Sequence, residues 1–128
     1  MVNFNIVNIV NFHLFSDIFP ADQYFIVYEF IDGGEDLECF EFSHMEEALS
    51  VIQQIVLSLS VSELSLKFEH RDLHWGNILI KRSNCQTLHY KLNGDDVYIE
   101  SCGVFVSIID FTLSRLTKGK NFEFPTCL

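Results

Sequence analysis

Basic residues are scarce in this sequence. Eight Lys and Arg stand against eighteen Asp and Glu over 128 residues, a formal net charge of -10. Such a balance repels phosphate backbones, so direct nucleic acid binding is not expected and basic partners such as Lys/Arg-rich peptides are favoured. A plain acidic protein whose charge serves solubility is the competing reading. Prolines number only two, and no repeat or low-complexity tract interrupts the chain. No stretch approaches the ~20 consecutive apolar residues that span a bilayer, so no membrane partner is expected. Residues 1–15 are apolar but broken by Asn3, Asn5, Asn8, Asn11 and His13. They also lack the basic segment and small-residue cleavage site of a signal peptide, so the chain reads as intracellular. The four cysteines, Cys39, Cys85, Cys102 and Cys127, show no CxxC or CxxH spacing. That argues against a zinc site and a disulfide framework and predicts reduced thiols.

What is present is apolar bulk. Hydrophobic residues make up 48% of the chain, with thirteen Phe, enough for one globular core. The run Tyr24-Phe25-Ile26-Val27-Tyr28-Glu29-Phe30 is short, aromatic and β-branched, which predicts a buried strand. It stops before Gly33-Gly34, a pair suited to an unusual backbone turn. Ser43-His44-Met45-Glu46 has the pattern of a capping box and opens a helix to about Phe68. Ala48, Ile52, Ile55, Leu59 and Leu66 fall at helical spacing, while Leu49, Val51, Val56, Leu57 and Val61 make the middle apolar nearly all round. Such a helix is expected to be buried on most faces. A loop (69–76), a strand (77–80) and a hairpin follow. In the hairpin, residues 88–92 turn at Asn93-Gly94, the favoured type I′ pair, and return through 97–99. Residues 104–109 predict a buried strand ending at Asp110. The expected fold class is α+β.

The segment His70-Arg71-Asp72-Leu73-His74-Trp75-Gly76-Asn77, followed by Asp110 after a hydrophobic strand, has the spacing H-R-D-L-x-x-x-N of a protein-kinase catalytic loop. In such a loop Asp72 accepts the proton of the substrate hydroxyl, Asn77 offers an amide oxygen to magnesium, and Asp110 holds the metal that bridges the ATP phosphates. Phosphoryl transfer depends mainly on positioning and charge neutralisation, so two carboxylates and an amide form a sufficient minimal set. The competing reading makes Asp72 and Asn77 turn residues with local hydrogen bonds; His70 is expected on either reading to be a satisfied core histidine, one that braces the loop in a kinase. His74 has no second ligand at metal spacing.

The string from Phe68 to Leu79, with His74-Trp75-Gly76 after Asp72-Leu73, resembles the haspin kinases. So does Asp110-Phe111-Thr112, where haspins carry Asp-Tyr-Thr and most kinases Asp-Phe-Gly. Residues 88–94 and Ser101-Cys102-Gly103 are similar to that family's insertion, and the resemblance spans about residues 23–118. It implies a protein-kinase-like fold with the end of the small lobe and hinge strand at 1–30 and the hinge at 31–38. The central helix would lie at 43–68, the catalytic loop and its strand at 69–80, a hairpin and strand at 86–109, and the start of the activation segment at 110–128. It further implies Phe30 as gatekeeper, Ile31 and Asp32 with Gly33 and Gly34 along the adenine edge, and Asp36 near the ribose. Asp72, Leu73, His74, Trp75, Gly76, Asn77, Asp110, Phe111 and Thr112 would line the nucleotide, with Asn77 and Asp110 on the metal. ATP and magnesium are the implied cofactors. A threonine near the end of a basic histone tail is the implied substrate, phosphorylated in mitosis on chromosomes in the nucleus, with the cytoplasm also open.

Residues 1–23 contain no Lys, Arg, Gly or Glu. A Gly-rich loop, a phosphate-gripping Lys and its Glu partner therefore cannot be placed, and the expectation is a kinase core with most of its small lobe and the later large-lobe helices absent. On that reading nucleotide affinity falls steeply and catalysis by this chain is open. The alternatives are a kinase-derived binding module without catalysis, and an unrelated small acidic α+β interaction domain.

Overall fold

The computed structural model describes residues 3–5, 27–29, 31–117 and 126–127. The chain divides into two units, residues 1–32 and 33–128. In the first, β1 (Asn3–Asn5) pairs antiparallel with β2 (Val27–Glu29), with Phe4 opposite Tyr28. The strand expected over 24–30 is thus present in its middle. Phe30 lies outside the described residues.

The second unit runs β3 (Glu35–Asp36), α1 (Met45–Leu66), a 3-10 turn (Trp75–Asn77), β4 (Ile78–Arg82), β5 (Thr87–Leu92), β6 (Asp95–Glu100), β7 (Val104–Ile108) and β8 (Thr126–Cys127). Two antiparallel sheets form, in the orders β3-β4-β7 and β6-β5-β8. The mixed helix and strand content is that expected of a kinase-like domain fragment. The β5–β6 turn is the one the sequence announced: Asn93 (φ 55°) and Gly94 (φ 95°) both take the left-handed conformation that a type I′ turn requires.

Helix α1 packs on both sheets. Val51, Ile80 and Val104 form one buried cluster, and Val61, Leu88 and Tyr90 a second; each such side chain contributes about 1.5–3 kcal/mol when fully buried. Polar groups share this face. The Gln54 amide donates to the Val104 carbonyl (3.0 Å) and accepts from the Val106 N–H (2.9 Å). It thereby satisfies backbone groups along the edge of β7 that has no neighbouring strand among the described residues. Ser50 Oγ lies 2.8 and 2.9 Å from the Glu100 and Ser101 carbonyls.

Three expectations for α1 need correction. The N-cap is His44, without a side-chain cap bond, instead of Ser43. The reaching-back role falls to Glu47, whose Oε2 accepts the Ser43 N–H at 2.8 Å. Glu47 is buried and paired with Arg82, and that tertiary pairing selects it over the exposed Glu46. The helix ends at Leu66 through a left-handed Lys67 (φ 52°), whose N–H donates to the Glu63 carbonyl, the 5→1 bond of an αL cap, while the Phe68 N–H reaches the Ser62 carbonyl. Finally, the helix is not buried on most faces. Met45, Leu49, Ile52 and Val56, at helical spacing, are all more than half exposed. By length and composition α1 could cross a bilayer, but its inward face carries the polar stitching just described. The reduced-thiol expectation fails at Cys85, which is disulfide-bonded; Cys39 and Cys102 are free thiols.

Candidate active site

The candidate site is assembled at one end of the β4–β7 pair. These strands run antiparallel with Ile78 opposite Ile108, and the ladder continues one step as the Ile109 N–H donates to the Asn77 carbonyl at 3.0 Å. Asn77 and Asp110 therefore meet at the same end of the sheet although thirty-three positions separate them in the chain. Asn77 is buried and Asp110 exposed.

Local chemistry fixes how the loop approaches. His74 caps the 3-10 turn, its Nδ1 accepting the Gly76 N–H at 3.1 Å. A Cβ on Gly76 would sit 3.0 Å from His74 Cε1, tighter than ordinary contact. His-x-Gly is thus a packed turn, and His74 serves it as a cap. The turn delivers Asn77, whose Nδ2 donates to the Asp72 carbonyl at 2.9 Å. Because a carbonyl can only accept, the amide is oriented with Oδ1 as its remaining acceptor. Asp72 is partly exposed.

His70 ties the loop to the Asp110 strand. It is 6% exposed, and its Nε2 donates to the Ile109 carbonyl at 2.9 Å. Its Nδ1 is buried without a partner among the described residues, so the satisfied core histidine expected from sequence is satisfied on one nitrogen only. Its ring lies 5.5 Å from Phe111 and 6.2 Å from Phe68. Phe111, grouped by sequence with the nucleotide contacts, thus braces His70 and Phe68. Ser114 Oγ donates to the His70 carbonyl, and Glu69 and Arg115 exchange backbone hydrogen bonds and an ion pair. Arg71 is held by the Glu69 carboxylate through Nε and Nη2.

Two residues here carry backbone strain. Arg71 (φ 69°) and Asp110 (φ 59°) are left-handed without being glycine, a conformation held only where surrounding contacts over-determine it. At Asp110, Oδ1 accepts both the Thr112 hydroxyl (2.7 Å) and the Thr112 N–H (3.2 Å). These bonds, the hydroxyl first, hold its carboxyl below the ordinary carboxylate value. Asp110 and Asn77 offer oxygen donors only, and no group of three His, Cys, Asp or Glu converges among the described residues. That donor set fits a hard cation completing its shell with phosphate and water oxygens.

Of the remaining sequence candidates, Gly33 and Gly34 lie on the approach to β4. Gly34 (φ 94°) passes so close that a Cβ would be 2.0 Å from the Ile80 carbonyl oxygen, and one on Gly33 would be 2.6 Å from Leu79 Cδ1. Asp36 turns the chain, its Oδ1 accepting the Cys39 N–H at 3.0 Å. Ile31 and Asp32 are exposed, as are Leu73 and Trp75. Sequence reasoning missed the roles of Glu69, Arg115 and Ser114; no motif marks them, since their work depends on a tertiary contact.

Comparisons with known proteins point to one family. The family model for the haspin like kinase domain matches residues 3–125. The serine/threonine-protein kinase haspin of Bos taurus is 52% identical over 104 residues, which cover 80% of this chain and 13% of that protein. The haspin homolog of Arabidopsis thaliana is 46% identical over 106 residues, 83% of this chain and 18% of its own length. That of Drosophila melanogaster is 42% identical over 101 residues. The chain spans less than a fifth of the length of these relatives. A catalytic-loop motif, an aspartate brought to it by the β4–β7 ladder and a family match across nearly the whole chain together show that it belongs to the haspin-like kinase family.

Proposed function

We propose that this chain supplies the catalytic loop and the metal-binding strand end of a haspin-type serine/threonine protein kinase. Kinases of the family take ATP as phosphate donor, usually with a divalent metal. The observation that carries the proposal is the bond from the Ile109 N–H to the Asn77 carbonyl, because it fixes the two candidate metal ligands at one sheet end.

In this reading the Asp72 carboxylate accepts the proton of a substrate hydroxyl as its oxygen takes the γ-phosphoryl group and ADP leaves. Asn77 contributes to two parts at once: its Nδ2 steadies the Asp72 backbone, and its Oδ1 is the acceptor that would hold the cation. Magnesium, when bound, supplies the positive charge that neutralises the phosphate oxygens. His70 keeps the Asp72 loop and the Asp110 strand in register. Phe30, Ile31, Asp32, Gly33 and Gly34 serve the adenine edge and Asp36 the ribose, with residues 1–30 closing the small lobe and residues 43–128 opening the large one. The net charge of -10 suits a basic substrate, which makes a histone-tail threonine, modified in the nucleus during mitosis, the proposed target.

The test is transfer of labelled phosphate from ATP to a histone-tail peptide by the purified chain. Transfer that is lost in Asp72→Asn supports the assignment. No transfer, or transfer unchanged in Asp72→Asn, rules out catalysis by this chain through Asp72 and leaves a binding module of kinase ancestry.

A further inference from the structure

Position 112 is where this sequence departs from the glycine of most kinases, and the structure gives its side chain a partner. Thr112 Oγ1 lies 2.7 Å from Asp110 Oδ1, and the Thr112 N–H lies 3.2 Å from the same oxygen. Both donors fall on one carboxylate oxygen. Among the described residues Oδ2 receives none.

We infer that Thr112 is a positioning residue which clamps Asp110 through Oδ1 and leaves Oδ2 as the single oxygen presented to the cation. The inference rests on the proposed role of Asp110. An exposed aspartate otherwise turns freely about two side-chain bonds, and its two oxygens compete for the same ligand position. A hydroxyl donating to a carboxylate makes a short charge-assisted bond, and together with the backbone donor it fixes both torsions. A glycine at 112 could offer only the N–H. The clamp also suits the local backbone: Asp110 is left-handed at φ 59°, and Thr112, two residues on, donates twice to its side chain. Groups of this kind, which hold a ligand without touching the metal, commonly change metal affinity about 10–100-fold when removed.

The experiment uses the full chain with Mn²⁺ as a spectroscopic probe, in the presence and absence of ADP, with bound ion measured by electron paramagnetic resonance. Thr112→Val removes the hydroxyl at nearly constant volume, Thr112→Ser restores it, and Asp110→Asn marks the site. The expected result is Mn²⁺ binding that Asp110→Asn abolishes, Thr112→Val weakens about ten-fold and Thr112→Ser leaves near wild type. Thermal midpoints are recorded alongside, so that lost affinity is read only from folded protein. Wild-type affinity in Thr112→Val, or a Thr112→Ser variant as weak as Thr112→Val, would overturn the clamp while leaving Asp110 as the ligand. Absence of any Mn²⁺ signal that depends on Asp110 would overturn the assignment of Asp110, and the clamp with it.

Discussion

The two sheets of the larger unit lean on the same helix but place their strained residues differently. In the β6-β5-β8 sheet the left-handed residues of the hairpin fall on Asn93 and Gly94, where that conformation is easily adopted. At the end of the β3-β4-β7 sheet it falls on Arg71, where it is unfavourable, and on Asp110, which tolerates it better than most side chains do. The hairpin is thus built from locally contented residues, whereas the candidate site is imposed by its surroundings: the His70 bond to Ile109, the Asn77 bond to Asp72 and the Glu69–Arg115 bridge. Left-handed non-glycine residues also stand at Lys67, which ends α1, and at Cys102, between β6 and β7, so it is the contacts that surround Arg71 and Asp110, more than the conformation alone, that set the candidate site apart.

Core substitutions should separate the sheets most strongly. Ile80→Ala and Leu88→Ala remove side chains that are 1% and 0% exposed, and each should destabilise by about 2–5 kcal/mol in urea denaturation. Only Ile80→Ala, in the strand that follows Asn77, should also weaken magnesium-dependent nucleotide binding in protein that stays folded. Equal loss of binding in both variants would erase the distinction.

Next in size is Gln54→Leu. It leaves the Val104 carbonyl and Val106 N–H without their side-chain partner and should destabilise by about 1–3 kcal/mol. A stability at wild-type level would show that the β7 edge does not need the amide. Relief of strain gives a smaller effect of opposite sign. Arg71→Gly should raise stability by up to about 1 kcal/mol, less whatever the exposed pair with Glu69 contributes. Gly94→Ala should lower it by about 1 kcal/mol. Destabilisation by both would mean that Arg71 is not strained.

The smallest contrast is in acid. Glu47 has its carboxyl held below the ordinary 4.5 by the Ser43 N–H first and by Arg82 next. Asp96 is held below 3.8, chiefly by His89. A carboxyl depressed in the folded state contributes stability above its unfolded value, and that contribution is lost as pH falls through the folded value. Stability should therefore decline below about pH 4.5. Glu47→Gln should flatten that decline more than Asp96→Asn, because Glu47 is 3% exposed while the Asp96 side chain is 50% exposed. The reverse order, read from denaturation at successive pH values, would contradict the burial argument.

What could be read from sequence follows physical range. The Asn93-Gly94 turn and the short strands were legible because their signals are local. The H-R-D-L-x-x-x-N spacing was legible because a short loop must carry its chemistry in order. The choice of Glu47 over Glu46 was not, since Arg82 is thirty-five residues away. Lys67 ends the helix without the glycine that usually announces such an end, and the open face at Met45, Leu49, Ile52 and Val56 looks in sequence like any buried stripe. Nor could spacing reveal that Thr112 bonds Asp110, although both residues stood out as candidates.

The central claim is that the β4–β7 ladder makes Asn77 and Asp110 one metal-dependent nucleotide site. Calorimetric titration of ATP into the full chain, with magnesium or with chelator, tests it directly. The account predicts tighter binding with magnesium in the wild type and no magnesium effect in either Asn77→Ala or Asp110→Asn. A magnesium effect that survives in Asp110→Asn would contradict it.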